Sequence, residues 1–288
     1  MNLALEIDVP HLFIWDPIFF ADTPFAINRV VILMFVSVAL CLGFFLYGAA
    51  KKALVPKGAS NLAETAYLFV RNNIAIDVIG PEGAKYAGYL ASVFFFILFC
   101  NFLAIFPGIG FAPTSRMAIP FLLAMLTWLI FNIVGLVKQG PLRYFKDTLF
   151  PPGVPWLVYV LLAPIELFSV FIVRPLTLMV RLLANMMAGH VLLAIFFLFT
   201  HDLLVENIGP AAPLGVVTLA VGVALMMLEL LVIGMQAYIF TMLSAFYIAE
   251  AVHGHGDHDE HEEEEVGGAH GDPAKGTPPQ REAEMEAA

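Results

Sequence analysis

Long apolar runs are the feature of this sequence that most restricts its fold. Three runs, at residues 30–50, 86–106 and 117–137, are each long enough to cross about 30 Å of hydrocarbon at ~1.5 Å per helical residue. Hydrophobic residues make up 60% of the chain and charged residues 13%, whereas a soluble domain is about half apolar and a quarter charged. The sequence therefore predicts an all-α integral membrane protein with about five transmembrane helices.

The last two apolar stretches, at residues 156–200 and 214–249, exceed the length that a perpendicular span needs. They either tilt steeply or bend, at Pro175 in the first and at Gly222 or Gly234 in the second. We expect them to form a long helical hairpin whose connection, residues 201–213, is a turn in water. Two mixed stretches are too polar to span and predict amphipathic helices at the interface; they are residues 61–79 and 141–150.

The charges divide the chain into three parts: an N-terminal extracytoplasmic segment at 1–28, a transmembrane domain at 29–252, and a disordered acidic tail at 253–288. The tail holds 11 acidic and 2 basic residues of the total of 24 and 14. Basic residues concentrate in the loops after the first and third runs, which places those loops in the cytoplasm, the N-terminus outside and the C-terminus inside. The chain is expected to be a multi-pass protein of the plasma membrane or inner membrane.

Several classes of function are excluded by the same composition. No basic surface for nucleic acid is present, because the membrane domain has almost no net charge. Cys41 and Cys100 lie inside apolar runs and are expected to be inert core thiols. No G-x-x-x-x-G-K-[ST] phosphate loop occurs, so the chain has no nucleotide-binding catalytic site of that kind.

Arg181 is the strongest functional candidate, because it stands in an apolar run that reads RPLTLMVRLLANMMAGHVLL. An arginine at mid-membrane costs about 2.5–3.5 kcal/mol on insertion scales, and it cannot shed its charge. It therefore needs an acid of its own chain, a wet cavity or a carboxylate of another chain. At 100° per residue, Thr177, Asn185 and Ala188 share its side of the helix, while His190 points to the opposite side.

The last apolar stretch carries a second polar stripe, on which Glu229 is the costly residue. Thr218, Gln236 and Tyr247 fall within about 20° of the same helical face. An acid within LMMLELLVIG is expensive unless it is paired or protonated. Because His190 and Glu229 lie on antiparallel neighbouring segments, we interpret them as partners in a proton relay.

Three segments of the sequence resemble those of the a subunit of F-type ATP synthases. The most specific is PLTLMVRLLANMMAGH, with its arginine, an asparagine four residues later and the following Ala-Gly. ELLVIGMQAYIFTMLSAFYIAEA is similar to the last helix of that family, and CNFLAIFPG is similar to the end of an earlier span. The resemblance covers about residues 29–251.

The resemblance implies a stator that conducts protons and partners with a rotating ring of c subunits. Arg181 would face the ring's carboxylates, with Gln236 close to it and Asn185 orienting the arginine or water. His190 and Glu229 would line the half-channel open to the outside, and Glu166 would lie near the cytoplasmic half-channel. Glu166 stands 15 residues before Arg181, one more than in some relatives.

The implied partners also include b-type peripheral-stalk subunits, other ATP synthase subunits and the lipid bilayer. No cofactor or metal is expected, and the coupling ion, H⁺ or Na⁺, would be held by the partner ring.

Two other functions remain open on the residues alone. A secondary proton-coupled transporter would use Arg181 as an anion site and Glu229 as the proton site, without a ring partner. An intramembrane metalloenzyme would need more deep histidines than His190. The histidines of the tail could bind a metal, although their setting is typical of a solvated disordered segment; they are His253, His255, His258, His261 and His270.

Overall fold

The structure is a computed structural model that describes residues 28–50, 58–106, 109–149, 156–206 and 212–253. The N-terminal segment predicted to be extracytoplasmic and the predicted acidic tail lie, apart from the residues at their boundaries, outside the described residues. Within the described ranges the chain is helical, with turns between the helices and no β-strand. This confirms the predicted all-α fold.

Three apolar helices correspond to the first three predicted spans. They are α1, Arg29–Ala50; α3, Ala87–Phe102; and α4, Ala118–Gln139. Helix α3 is four residues shorter at its C-terminal end than its apolar run, because the chain turns at residues 103–106 before Pro107. A buried hydrogen bond joins the C-terminal end of α3 to the loop that follows it. In this bond the Thr114 hydroxyl donates to Oδ1 of Asn101.

Helix α2, Ala59–Val70, begins the first stretch predicted to be an amphipathic helix. It continues through a π-helical segment, Arg71–Ile76, and one α-helical turn, Asp77–Ile79. Its apolar side is buried against α1, α3 and the last helix, whereas Glu64 and Asp77 are exposed. The second such stretch forms α5, Pro141–Leu149, whose polar and apolar residues also separate onto two sides.

The predicted hairpin is present and dominates the fold. Its first arm is α6, Trp156–Phe168, followed by a π-helical segment, Ser169–Val173, and by α7, Arg174–His201. Its second arm is α8, Ala212–His253, a single helix of 42 residues. Such a helix is about 63 Å long at ~1.5 Å per residue, twice the hydrocarbon thickness, so a spanning α8 must tilt strongly.

The structure decides between the two alternatives for the second arm, tilt or bend, and corrects the predicted end of the first arm. Neither Gly222 nor Gly234 interrupts α8, because Gly222 is buried against Phe196 and Phe197 and the apolar sequence on both sides is strongly helix-forming. The first arm does not end at His201 but continues in π-helical form through Asp202–Glu206. Leu203 and Leu204 hold this last turn in place by packing against Gly215 of α8.

Helix α8 packs against α3, α4 and α7, which fixes the position of every candidate site residue. The shared core is apolar, and its largest fully buried side chains include Phe131, Leu178, Leu182, Phe240 and Ile248. Because lipid tails are as apolar as these side chains, close van der Waals packing, and not removal from water, holds the helices in one register. The C-terminal end of α8 is tied to α4, where Nε2 of Gln139 donates to the Ala251 carbonyl at 2.8 Å.

The turn between α4 and α5 depends on two glycines. Gly140 has a φ of +81°, in the left-handed region that glycine adopts without a steric penalty. Gly135, one turn before it, is buried beneath the ring of Tyr144, so that a Cβ at this position would overlap the ring. The Tyr144 hydroxyl donates to Oδ1 of Asn132 at 3.1 Å, which locks α5 onto α4.

Gly135→Ala is expected to destabilise the protein by about 1–3 kcal/mol, because the added methyl group forces the Tyr144 ring away from α4. Thermal unfolding in detergent measures the effect as a lowered midpoint. Gly43→Ala in α1 is the matched control, since nothing lies within 4 Å of the position that its Cβ would occupy and alanine favours the helix. Equal midpoints for the two variants would contradict the close packing of Gly135 against Tyr144.

Candidate functional site

The side of α7 that carries Arg181 faces away from the rest of the described chain. The exposed residues on it are Thr177, Arg181, Ala184, Asn185 and Ala188, which we call the Arg181 stripe. Among the described residues, none forms a hydrogen bond or an ion pair with the Arg181 guanidinium. The stripe thus combines a permanent positive charge with small side chains that would let another helix approach closely.

Asn185 connects the edge of this stripe to α8. Its Nδ2 donates to Oε1 of Gln236 at 2.6 Å. Gln236 is 1% exposed, and its Nε2 has no hydrogen-bond partner among the described residues. The predicted neighbours Asn185 and Gln236 are therefore in direct contact, and Gln236 retains an unused donor beside the stripe that carries Arg181.

Glu229 is buried where α7 and α8 cross, one turn of α8 from Ile233. It is 4% exposed, and neither of its carboxylate oxygens has a hydrogen-bond partner among the described residues. The close approach is made possible by Gly189 of α7, where a Cβ would lie 3.0 Å from Oε1 and 3.2 Å from Cδ of Glu229. A buried carboxylate without a partner is costly, which marks Glu229 as a functional candidate.

His190 follows Gly189 directly, so the structure brings the two predicted relay residues into the same region. Its half-buried ring packs edge-on against Phe111, with 6.0 Å between the ring centroids. Since the Glu229 oxygens accept no hydrogen bond within the described residues, the imidazole does not donate to the carboxylate directly. A proton passing between them would need an intervening group.

The remaining members of the predicted α8 stripe line the same interface. The hydroxyl oxygens of Thr218 and Thr200 lie 3.0 Å apart near the turn of the hairpin. At the opposite end Tyr247 is half-buried, and its ring lies 5.2 Å from Cζ of Arg174. The predicted face of α8 is therefore directed inward along its length.

A charged cluster that the sequence did not predict lies at this opposite end. Nη1 and Nη2 of Arg174 donate to the two carboxylate oxygens of Glu250, at 2.6 Å and 2.8 Å. Nη2 also lies 3.4 Å from Oε1 of Glu166. The Arg174 side chain is 15% exposed and those of Glu166 and Glu250 are 23% and 20%, so the three charges are largely withdrawn from the surface.

The π-helical segment Ser169–Val173 explains how Glu166 reaches Arg174. In an α-helix, residues eight apart point about 80° away from each other. A π-helical turn closes its hydrogen bond over five residues and so accommodates one extra residue in a turn. Pro175, which has no N–H to donate, follows immediately, where the preceding turn is already widened. The segment thus adds one residue to the turn between Glu166 and Arg181 without the rotation that an α-helix would require.

A metal ion requires several ligating side chains within one site. No group of three or more His, Cys, Asp or Glu residues in the described ranges is arranged to hold a metal ion. His253, the one tail histidine within those ranges, has its Nε2 2.8 Å from the Ile79 carbonyl oxygen, so it is engaged with the end of the α2 segment.

Four described helices are long and apolar enough to cross a membrane, and α3 is a shorter apolar helix beside them. Within these helices lie an arginine without an ion-pair partner in the described chain, a buried acid and a withdrawn charge cluster. Ionisable groups at such depth are typical of ion pathways. The fold and the site therefore define a multi-span α-helical membrane protein of the ion-translocating class.

Comparison with known proteins identifies the family. The profile of the ATP synthase A chain matches residues 31–249. ATP synthase subunit a of Rhodococcus erythropolis is 41% identical over 231 residues, 80% of this chain and 84% of the relative. Subunit a of a Parafrankia species is 47% identical over 225 residues, 77% of this chain and 75% of the relative, and that of Hyphomonas neptunium is 41% identical over 223 residues, 76% and 85%.

The chain belongs to the ATP synthase subunit a family, the membrane-sector proton-channel subunits of F-type ATP synthases. Members of this family are not the nucleotide-binding catalytic subunits, in agreement with the missing phosphate loop in the sequence.

Proposed function

We propose that this chain is the stator of a rotary F-type ATP synthase, in which it provides two offset aqueous half-channels and an arginine that faces the carboxylates of a c-subunit ring. The observation that carries the proposal is Arg181, which is exposed on a membrane-spanning helix and pairs with no described residue of its own chain. Its partner in the bilayer is then a carboxylate of a neighbouring subunit.

The energetics favour that partner over lipid. Leaving an arginine among acyl chains costs about 2.5–3.5 kcal/mol on insertion scales, and the guanidinium remains charged. A charged carboxylate inside the membrane is costly for the same reason. When the guanidinium and the carboxylate form an ion pair, their attraction offsets part of both costs. Small side chains at Ala184 and Ala188 leave room for the helix that brings the carboxylate.

The outer half-channel in this proposal runs along the α7–α8 interface past His190 and Glu229 to a ring carboxylate. A proton that neutralises the carboxylate allows it to enter lipid, and the ring turns. Gln236 and Asn185 are hydrogen-bonded to each other, and Asn185 lies on α7 between the Glu229 contact at Gly189 and Arg181. The pair therefore keeps polar contacts along the route.

The inner half-channel lies on the other side of Arg181, near Glu166. A ring carboxylate that approaches Arg181 is stabilised in its charged form, so it releases its proton toward Glu166 and the cytoplasm. The fixed charge of Arg181 also repels a proton that would cross directly between the half-channels. Each proton that moves through 100 mV releases about 2.3 kcal/mol, which the ring delivers as torque for ATP synthesis.

The proposed orientation follows from the basic residues of the loops, with the N-terminus outside and the C-terminus in the cytoplasm. Lys138 ends α4 on the inner side, where its Nζ bonds to Glu82 of the preceding cytoplasmic segment. The b-type peripheral-stalk subunits and other ATP synthase subunits are the remaining proposed partners, and they hold this chain still while the ring turns.

Cysteine cross-linking tests the ring partner directly. With Cys41 and Cys100 replaced by alanine, Ala184→Cys and Ala188→Cys are expected to form disulfides with a cysteine placed next to the carboxylate of the c subunit. Leu129→Cys is the matched control, because Leu129 is 48% exposed on α4 but does not belong to the Arg181 stripe. Cross-linking at Leu129 alone, or at no position, would contradict the proposal.

A further inference from the structure

In the cluster of Arg174, Glu250 and Glu166, the guanidinium binds Glu250 more closely than Glu166. Both outer nitrogens of the guanidinium are occupied by Glu250, at 2.6 Å and 2.8 Å. Glu166 receives one long contact of 3.4 Å from Nη2, which Glu250 already engages. A bidentate pair of this kind is strong and geometrically specific, because the planar fork matches the carboxylate.

The surroundings of Arg174 leave it few other ways to be satisfied. The ring of Tyr247 lies 5.2 Å from its Cζ and supports the cation from α8, three residues before Glu250. Tyr144 of α5 interacts with both Arg174 and Glu250, and Glu250 also has a further interaction partner. Besides Glu250, the groups Glu166 and Tyr247 act on Arg174. Glu166 is therefore the acid to which the guanidinium would turn if Glu250 were neutral.

We propose that Glu250 is a positioning residue that occupies Arg174 and thereby keeps the carboxylate of Glu166 free to exchange protons with the cytoplasm. This inference rests on the proposed role of Glu166 in the inner half-channel. Without Glu250, the fork of Arg174 closes on Glu166 and holds it in a bidentate ion pair, so that its carboxylate no longer exchanges protons with the cytoplasm. Glu250 thus affects proton exchange indirectly, because it engages Arg174, and it does not bind the proton itself.

The test uses the complete complex in vesicles, with proton flux divided by the amount of assembled complex. Glu250→Gln is expected to lower flux per complex by about tenfold, as Arg174 captures Glu166. The double variant Arg174→Gln with Glu250→Gln also removes the guanidinium that would bind Glu166. It is therefore expected to restore flux to near the wild-type level.

Normalising to assembled complex separates this role from stability, because a merely structural ion pair changes the amount of complex and leaves its flux alone. Glu82→Gln is the matched control: it removes an ion pair to Lys138 that is far more exposed, and exposed pairs contribute little. Wild-type flux per complex in Glu250→Gln, or low flux per complex in the double variant, would overturn the inference.

Glu166→Gln distinguishes this inference from the function on which it rests. If Glu166→Gln blocks flux while Glu250→Gln conducts normally, the role of Glu250 fails and that of Glu166 stands. If Glu166→Gln conducts at the wild-type rate, the proposed inner half-channel itself is wrong.

Discussion

Arg181→Ala abolishes proton-driven ATP synthesis in vesicles, with an expected fall of roughly a hundredfold or more, equivalent to about 2.7 kcal/mol. In the proposed mechanism, the alanine removes the charge that favours the deprotonated ring carboxylate and that separates the two half-channels. The amount of protein in the membrane should stay the same or rise, because no described residue depends on this guanidinium for a hydrogen bond.

Thr177→Ala is the matched control for this change, since Thr177 lies on the same exposed stripe one turn earlier and donates only to the Arg174 carbonyl. It should synthesise ATP at close to the wild-type rate. Arg181→Ala vesicles that make ATP as fast as the control would show that the stripe does not face the ring carboxylates.

Glu229→Gln has the second-largest expected effect, a fall in proton flux of about tenfold or more at unchanged protein abundance. The amide keeps the shape of the side chain at the Gly189 contact but cannot take up and release a proton. Passive proton flux through vesicles from which the catalytic sector has been removed measures the step without interference from ATP chemistry.

Glu64→Gln, on the exposed side of α2, removes an acid of the same type away from the α7–α8 interface and should conduct normally. If the two variants conduct equally, Glu229 has no part in the proton route. The burial of its carboxylate without a partner would then have no functional explanation.

Much of the fold follows from hydrophobicity and helical period. The apolar runs predicted α1, α3, α4 and the two arms of the hairpin, because in lipid the length of an apolar run fixes the length of a helix. The period of 100° per residue predicted that Thr177, Arg181, Asn185 and Ala188 share one side, and the structure places all four on the exposed side of α7.

The helical period predicts which residues of one helix share a face, but it does not predict which faces of two helices pack together. Arg174 and Glu250 are 76 residues apart. Arg174 interrupts the middle of one apolar stretch, whereas Glu250 follows the end of the other, where a lone charge is common. One signal could have paired them. If Asn185 is set opposite Gln236 in an antiparallel hairpin, Arg174 lies 11 residues before Asn185 and Glu250 lies 14 residues after Gln236. Their charges then fall within about one helical turn of the same level.

The contact between Gly189 and Glu229 also lies beyond what the pattern predicts. The sequence indicated that His190 and Glu229 belong to one relay, whereas the structure sets the carboxylate against the glycine and the imidazole against Phe111. Side-chain packing at a crossing of two helices depends on their rotation to within a few tens of degrees, which composition does not determine.

The widened turn at Ser169–Val173 has a consequence for how chains of this kind can vary in length. Deleting one residue from an ordinary helix would rotate everything beyond the cut by about 100° and turn the arginine toward the wrong neighbour. Deleting one residue from this π-helical segment would leave a regular α-helical turn. The helical parts before and after the segment would then keep their relative rotation about the helix axis. This segment is thus a place where evolution can add or drop a residue while Arg181 keeps its place on the exposed side of α7.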